Sequence, residues 1–398
     1  MEGPVMTAHA LGMSAWYSAA DCRLADFAEL VATPTVLAEY PHASAVEQGV
    51  LVYDCGELRS HVGDPDGRRM VMSELARALS DGPGVVVLAG AYADPAVVDE
   101  ATEAFRAIIA AEKADGTAHG DHFAQAGAND RVWNALEKLA VADPGAFARY
   151  YSNDMIALVC EAWLGVNYQV TSQVNQVNPG GKAQSPHRDF HLGFQSEQTA
   201  TTYPKLAHHL SQVLTLQGAV AHCDMPLESG PTYLLPHSQK YGPGYVAWHL
   251  PEFKEYFEQH FVQLPLRKGD AIFFSPALVH AAGENHSSAI QRMANLLQVS
   301  SAFGRAMETI DRERIVNAVY PELLRLQRAG MTADALHNAI AASAEGYAFP
   351  TNLDRDEPRG SDAPASQADI VRLALRDEWP PSQLADALAA HALAHLSH

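Results

Sequence analysis

Hydrophobic residues change their spacing twice along the chain. From about 69 to 164 they recur mostly every three to four positions, the spacing of amphipathic helices. From about 167 to 303 they come as short apolar runs between Gly, Pro and polar turns, the spacing of strands. Beyond 305 the helical spacing returns. The helical stretches read as 69–79, 94–113, 131–141 and 146–164. Asp94-Pro95 opens the second as N-cap and first turn, with Val98, Ala101 and Phe105 on one face, and Gly165 closes the last. Ser80-Asp81-Gly82-Pro83-Gly84 breaks the first before a short strand, 85–88. The strands read as 168–178, 187–194, 210–222, 231–236, 261–266, 270–274 and 291–302, with a helix at 252–259 among them. The C-terminal helices read as 308–318, 321–328, 332–344, 367–375 and 381–396, with a polar linker at 354–366. This is a mainly β core with flanking helices, an α+β chain built on a sandwich or double-sheet jelly roll. Its divisions are 1–80 (an extension with short apolar pieces such as Gly49–Tyr53, read as lid or edge strands), 81–304 (the core with its preceding helices) and 305–398 (a helical extension that closes the barrel or forms a dimer interface).

Composition narrows the partners. The chain has 398 residues, 47% hydrophobic and 19% charged, with a formal net charge of −20. Such a surface repels phosphate backbones and anionic lipid, so neither nucleic acid nor membrane is expected as a partner. Cys22, Cys55, Cys160 and Cys223 are far apart and form no CxxC pair, which fits free thiols in a reducing compartment. The first residues show no basic stretch followed by an apolar core, and no run of about 18 apolar residues occurs. The expected location is the cytoplasm.

The chemistry gathers in the strand region. Pro179-Gly180-Gly181 turns the chain into Ser185-Pro186-His187-Arg188-Asp189-Phe190-His191. In an extended segment, residues two apart share a face, so His187 and Asp189 present an imidazole and a carboxylate together. Two His and one carboxylate on one side of a metal form the facial triad of non-haem iron oxygenases. Gly269-Asp270 starts a later apolar strand, and His280 stands at its far end as the second imidazole. Arg292, twelve residues on, opens the next strand. With Fe(II) on this triad, three positions stay open for a 2-oxo acid and O2. Arg292 then pairs the acid's distal carboxylate, since its planar fork stays charged when buried. His119 and His122, in the Gly-rich loop 114–129, have no third ligand in register, and that loop reads instead as a cover for the substrate.

Pro179-Gly180-Gly181 with His187 and Asp189, the run Asp224–Thr232 before Pro236-His237-Ser238, Gly269-Asp270 with His280, and Arg292 together resemble the phytanoyl-CoA dioxygenase family of Fe(II)/2-oxoglutarate-dependent oxygenases, from about 82 to 301. The resemblance implies a double-stranded β-helix, a cupin-like jelly roll with helical extensions. It implies His187, Asp189 and His280 as iron ligands and Arg292 as the 2-oxoglutarate anchor. It also implies Fe(II), 2-oxoglutarate and O2 as cofactors, with ascorbate as a reductant. Two positions depart from the family pattern. His237 stands where Gly is common, and Ala282 where a hydroxyl residue often contacts 2-oxoglutarate. Gln176, Thr215 and Gln217 are the expected replacement donors. His191, one strand step past Asp189, and Gln173 are expected beside the substrate or behind the ligands, whereas Arg188 points away and is structural.

The expected activity is hydroxylation, or a related oxidation, of an unactivated C–H of a small-molecule metabolite, with release of succinate and CO2. Halogenases resembling this family lack the carboxylate that Asp189 supplies. Two other readings of the same residues stay open: a Zn(II) hydrolase on the same triad, and a catalytically silent jelly roll that binds a small acid or acts as a scaffold. A homodimer is compatible with the chain, and 195–209 reads as a second specificity loop.

Overall fold

The computed structural model describes residues 14–117 and 128–397, apart from 359 and 361. His119 and His122 lie outside these residues. Ten strands occur among them: β1 (Ala45–Glu47), β2 (Val50–Asp54), β3 (Val85–Ala89), β4 (Asn129–Val132), β5 (Gln169–Val177), β6 (Thr215–Ala221), β7 (Tyr233–Leu234), β8 (Ala271–Phe274), β9 (His280–Ala281) and β10 (Arg292–Ser300). Eight form one sheet in the order β1-β2-β3-β8-β6-β10-β5-β4, and β7 pairs β9 in a second, small sheet. Isolated bridges His187↔His280 and Leu234↔Val262 widen the small sheet on both sides. The result is the two-sheet jelly roll expected, with one sheet long and regular and the other mostly irregular.

Strand parity sorts the side chains of the large sheet. On β10, Met293, Leu297 and Val299 join the core beneath the helices, while Arg292, Ala294, Leu296 and Gln298 face a cavity between the sheets. On β6, Leu216 and Val220 face the helices, and Gln217, Ala219 and Ala221 face the cavity. On β8, Phe273 takes the helix side and Ile272 and Phe274 the cavity side. The helix Pro95–Ala114 starts where expected, with the Asp94 side chain accepting from the Ala96 N–H. The C-terminal helix Arg312–Arg328 places Val316, Val319 and Leu323 in the same core cluster as Phe105 and Phe147. Residues beyond 305 therefore thicken the helical layer behind the sheet.

Several expected elements differ. The stretch 187–194 is a single bridge at His187, followed by a 3-10 turn at Leu192–Phe194. The stretch 210–222 divides into the end of a helix, Lys205–Val213, and β6. The segment 131–141 is the end of β4 and then a helix, Ala135–Ala142. The long helix at 146–164 is two, Pro144–Tyr151 and Asp154–Leu164, because Asn153 caps the second through the Met155 and Ile156 N–H groups. The helices expected at 308–318 and 321–328 are one, with Pro321 inside.

Behind the sheet lies a buried neutral network. Thr102 Oγ1 donates to the Val98 carbonyl (2.6 Å), so the His222 Nδ1–H donates to Thr102 Oγ1 (2.7 Å) and Tyr150 Oη donates to His222 Nε2 (2.9 Å). Burial lowers the His222 pKa to about 3, with Arg106 adding to the effect. The unfolded chain therefore binds a proton that the fold refuses between about pH 6.5 and 3. Stability from this group is complete above about pH 6.5 and is lost as pH falls through that window. Denaturant midpoints measured from pH 7 to pH 4.5 should fall less steeply for His222→Gln than for the parent.

Candidate active site

The ligand segment is held by backbone pairing. The His187 N–H donates to the His280 carbonyl (3.0 Å) and the His280 N–H returns the bond to the His187 carbonyl (3.1 Å), while the Asp189 N–H donates to the Pro276 carbonyl (2.9 Å). This local extension puts His187 and Asp189 on the cavity side and turns Arg188 the other way, as the two-residue alternation requires. Arg188 is fully buried and donates to the Ser238 and Tyr241 carbonyls (2.5 and 3.3 Å). It packs against Gly244 so closely that a Cβ there would fall 1.9 Å from the Arg188 Cζ. The residue between the two ligands is thus clamped from behind.

His187, Asp189 and His280 come together with their ligand atoms all within 4.8 Å of one another. His187 Nε2 lies 3.5 Å from Asp189 Oδ1, and His280 Nε2 lies 3.6 Å from Asp189 Oδ2. Each imidazole donates its Nδ1–H to a backbone carbonyl, His187 to Ser185 (2.8 Å) and His280 to Leu278 (3.0 Å). In the neutral ring this leaves both Nε2 atoms as lone-pair donors aimed at one point, the tautomer a metal needs. Burial alone would raise the Asp189 pKa, but His187, His280 and the Gln217 amide outweigh it and hold the carboxyl below its usual range. Gln217 Nε2 donates to Asp189 Oδ2. Two imidazoles with their Nε2 atoms turned to the cluster and one carboxylate are a donor set that fits an iron ion.

The cavity has a volume of about 730 Å³, within the usual range for small-molecule sites. Arg292 lines it from the start of β10 and is 7% exposed. Its Nη1 donates to the Ser229 and Gly283 carbonyls (3.2 and 3.1 Å). Burial lowers its pKa to about 10, which leaves it cationic at neutral pH. Among the described residues no carboxylate pairs with it. A buried, fixed cation on a cavity wall fits an anionic ligand.

The remaining candidates divide by strand parity. Gln217 and Gln173 line the cavity. Gln176 does not: it lies one residue out of phase with Gln173 and Asn175, and its Nε2 donates to Asp130 Oδ2 (3.1 Å). Thr215 is fully buried at the first position of β6, and the cavity stops short of it. His191 does not line the cavity either. The Gly193 N–H donates to the Asp189 carbonyl (3.1 Å), so the chain curls after Asp189 and the strand alternation ends there. Gly193 permits that curl, since a Cβ there would fall 2.1 Å from the Arg188 carbonyl oxygen. Ala282 lines the cavity without a hydroxyl, and His237 adopts the left-handed φ (+70°) that explains a preference for Gly at its position. Among the lining residues that escaped the sequence reading are Arg131, Trp133, Trp248 and Gln298. Of these, Gln298 was within reach, because its even spacing from Arg292 puts it on the same strand face.

Comparison with known proteins follows the same span. No curated protein matches the chain. Among solved structures, similarity is found to the non-haem α-ketoglutarate-dependent epimerase SnoN of nogalamycin biosynthesis (21% identity, 60% of this chain and 84% of that one, TM-score 0.39). It is also found to the carbocyclase SnoK of the same biosynthesis (20%, 57% and 83%, TM-score 0.42) and to HygX from Streptomyces hygroscopicus, solved with nickel and 2-oxoglutarate (14%, 58% and 88%, TM-score 0.39). These likenesses are weak, and no conclusion about this chain rests on them. The family profile described as phytanoyl-CoA dioxygenase (PhyH) matches residues 80–294, more than half of the chain and the whole span from β3 through the metal triad to Arg292. The chain therefore belongs to the phytanoyl-CoA dioxygenase family.

Proposed function

We propose that this protein is an Fe(II)- and 2-oxoglutarate-dependent oxygenase that hydroxylates, or otherwise oxidises, an unactivated C–H bond of a small-molecule metabolite, releasing succinate and CO2. One observation carries the reading: a two-His-one-carboxylate cluster lines the same cavity as a buried cation that has no carboxylate partner among the described residues. His187, Asp189 and His280 would hold the iron, and Arg292 the distal carboxylate of 2-oxoglutarate. When bound, iron, 2-oxoglutarate and O2 together supply the oxidising power, and the chain supplies position and exclusion of water. The Ser185 and Leu278 carbonyls keep both imidazoles in the ligating tautomer. Gln217 engages Asp189 Oδ2 and fixes the carboxylate with Oδ1 beside His187 and Oδ2 beside His280. Ala294 and Ala221, with small side chains on the cavity wall next to Arg292 along the strands, leave room for a slender diacid. Asp189 fills the position that a halide would need, and this favours hydroxylation over halogenation.

The hydrolase reading is less well supported. Apart from Asp189, no carboxylate lines the cavity among the described residues, so no general base stands beside the triad. It also leaves Arg292 without a role. The direct test is optical. Under anaerobic conditions, Fe(II) with 2-oxoglutarate should give the protein a weak visible charge-transfer band, and Zn(II) should give none. Absence of the band, together with no 2-oxoglutarate consumption in air, would defeat the proposal.

A further inference from the structure

Three glutamines stand side by side on the cavity face of the large sheet: Gln173 on β5, Gln298 on β10 and Gln217 on β6. Gln217 and Gln298 are directly opposed across the β6–β10 ladder, and Gln173 opposes Leu296, one inward step from Gln298. All three are more than nine-tenths buried, at 1%, 7% and 3% exposure for Gln173, Gln298 and Gln217. Each keeps one amide atom without a hydrogen-bond partner: Nε2 of Gln173, Oε1 of Gln298 and Oε1 of Gln217.

Two of these orientations follow from chemistry. Gln217 donates to a carboxylate, which only accepts, so its orphan atom is the carbonyl oxygen. Gln173 accepts from Arg131 Nη2, which only donates, so its orphan atom is the N–H group. That N–H is turned toward Glu308 but closes no bond to it, and Glu308 Oε2 is itself unpartnered. The Gln298 amide offers one donor and one acceptor whichever way it sits. Buried polar groups in native cores are nearly always paired, so three adjacent orphans beside one cavity call for a partner, which water supplies in the empty cavity and a ligand with hydroxyls supplies when bound. Terminal amide torsions are soft, and a small rotation presents such an atom to a ligand without moving the strand.

The layer is not part of the 2-oxoglutarate subsite proposed above. Gln298 stands six residues from Arg292 along β10, about 20 Å between backbones at ~3.3 Å per residue, so the amides do not meet the end of 2-oxoglutarate that Arg292 would hold. Through Gln217 the layer sits at the level of Asp189, where the reacting carbon of a substrate must come. Apart from the triad and Arg292, two charged residues border the cavity, and both are engaged. Arg131 holds Gln173 and stacks on Trp133 at 4.5 Å, and Arg188 is spent on backbone carbonyls. What remains beside the triad is neutral, and it both donates and accepts. A hydroxyl does both, so one kind of group satisfies all three amides.

We infer, resting on the iron and 2-oxoglutarate reading, that the substrate is a neutral, polyhydroxylated small molecule whose hydroxyls are received by Gln173, Gln298 and Gln217. An acyl chain laid against this layer would leave the amides unpaired, which disfavours it. The full chain, loaded anaerobically with Fe(II) and 2-oxoglutarate, would be titrated with myo-inositol, methyl glucosides and a neutral disaccharide, and separately with palmitoyl-CoA. Binding would be read by the shift of the visible band and by tryptophan fluorescence. At least one polyol should bind saturably. Gln298→Leu and Gln173→Leu should each weaken it by about tenfold or more, while 2-oxoglutarate affinity stays within about twofold. Gln298→Met preserves volume and guards against a packing effect. The inference is overturned if palmitoyl-CoA binds and no polyol does, if no polyol binds at all, or if the variants bind polyols like the parent. A missing visible band sinks the iron reading instead. The fluorescence titration on metal-free protein still tests the amide layer in that case.

Discussion

His187→Ala is expected to abolish the iron and 2-oxoglutarate absorption band while leaving the fold intact. His187 is the most exposed of the three ligands, with a side chain 24% accessible, so its removal opens little of the core. Its loss takes away one of two imidazole lone pairs aimed at the metal. Changes to residues that merely orient a ligand already cost about 10–100-fold in metal affinity, and loss of a ligand should exceed that. Iron affinity should therefore fall by more than about a hundredfold in equilibrium dialysis, with 2-oxoglutarate decarboxylation at background. The thermal midpoint of the metal-free variant should match that of the metal-free parent. A variant that still binds iron like the parent would remove His187 from the site.

Arg292→Met should have the second largest effect, and on a different quantity. Truncating one partner of a buried charge pair costs about 2–5 kcal/mol, roughly 30-fold to a few thousandfold in affinity. The 2-oxoglutarate concentration needed to develop the band should rise by that factor, while iron affinity is retained. Met fills similar volume and removes a buried cation that has no carboxylate partner among the described residues, so the unliganded protein should be no less stable than the parent. Arg292→Lys should fall between the two, because an ammonium keeps the charge and loses the fork. Equal 2-oxoglutarate affinity in the parent and Arg292→Met would show that the anchor lies elsewhere. The two substitutions separate the proposed roles: one removes metal, the other removes only the co-substrate.

What could be read in advance followed from local rules. His187 and Asp189 share a face because the chain between them is extended and tied to Pro276 and His280. Gly269-Asp270 marks a strand start because Gly269 takes a left-handed φ (+89°) and the Asp270 carboxylate accepts the Arg267 and Gly90 N–H groups. Asp94 caps its helix for the same kind of reason, whereas the helix read from 69 begins at Pro65 with Asp64 as its cap. Parity was the weak point. Gln173 and Gln176 are both polar residues on one strand of mixed pattern, and nothing local says which of the two faces the cavity. A single step of register exchanges them. His191 failed where the curl through Gly193 ended the alternation, and Arg131 was placed on a helix because β4 is only four residues long.

The sequence by itself determined the class of site: two imidazoles and a carboxylate in order, a turn before the second histidine, and an arginine on the following strand. Short-range geometry relates His187 to Asp189 and the Gly269-Asp270 turn to its strand, whereas the link from His187 to His280 and Arg292 rested on the family resemblance and is made in the fold by the His187–His280 bridge. Tertiary structure alone decided which amides meet. Gln173, Gln217 and Gln298 come from strands far apart in sequence, and only the pairing of β6, β10 and β5 makes them neighbours. It also decided that Gln217 faces Asp189, that Arg292 is buried without a carboxylate partner among the described residues, and that residues beyond 305 pack behind the sheet. These depend on long-range register and on burial, and neither is a property of any local stretch of chain.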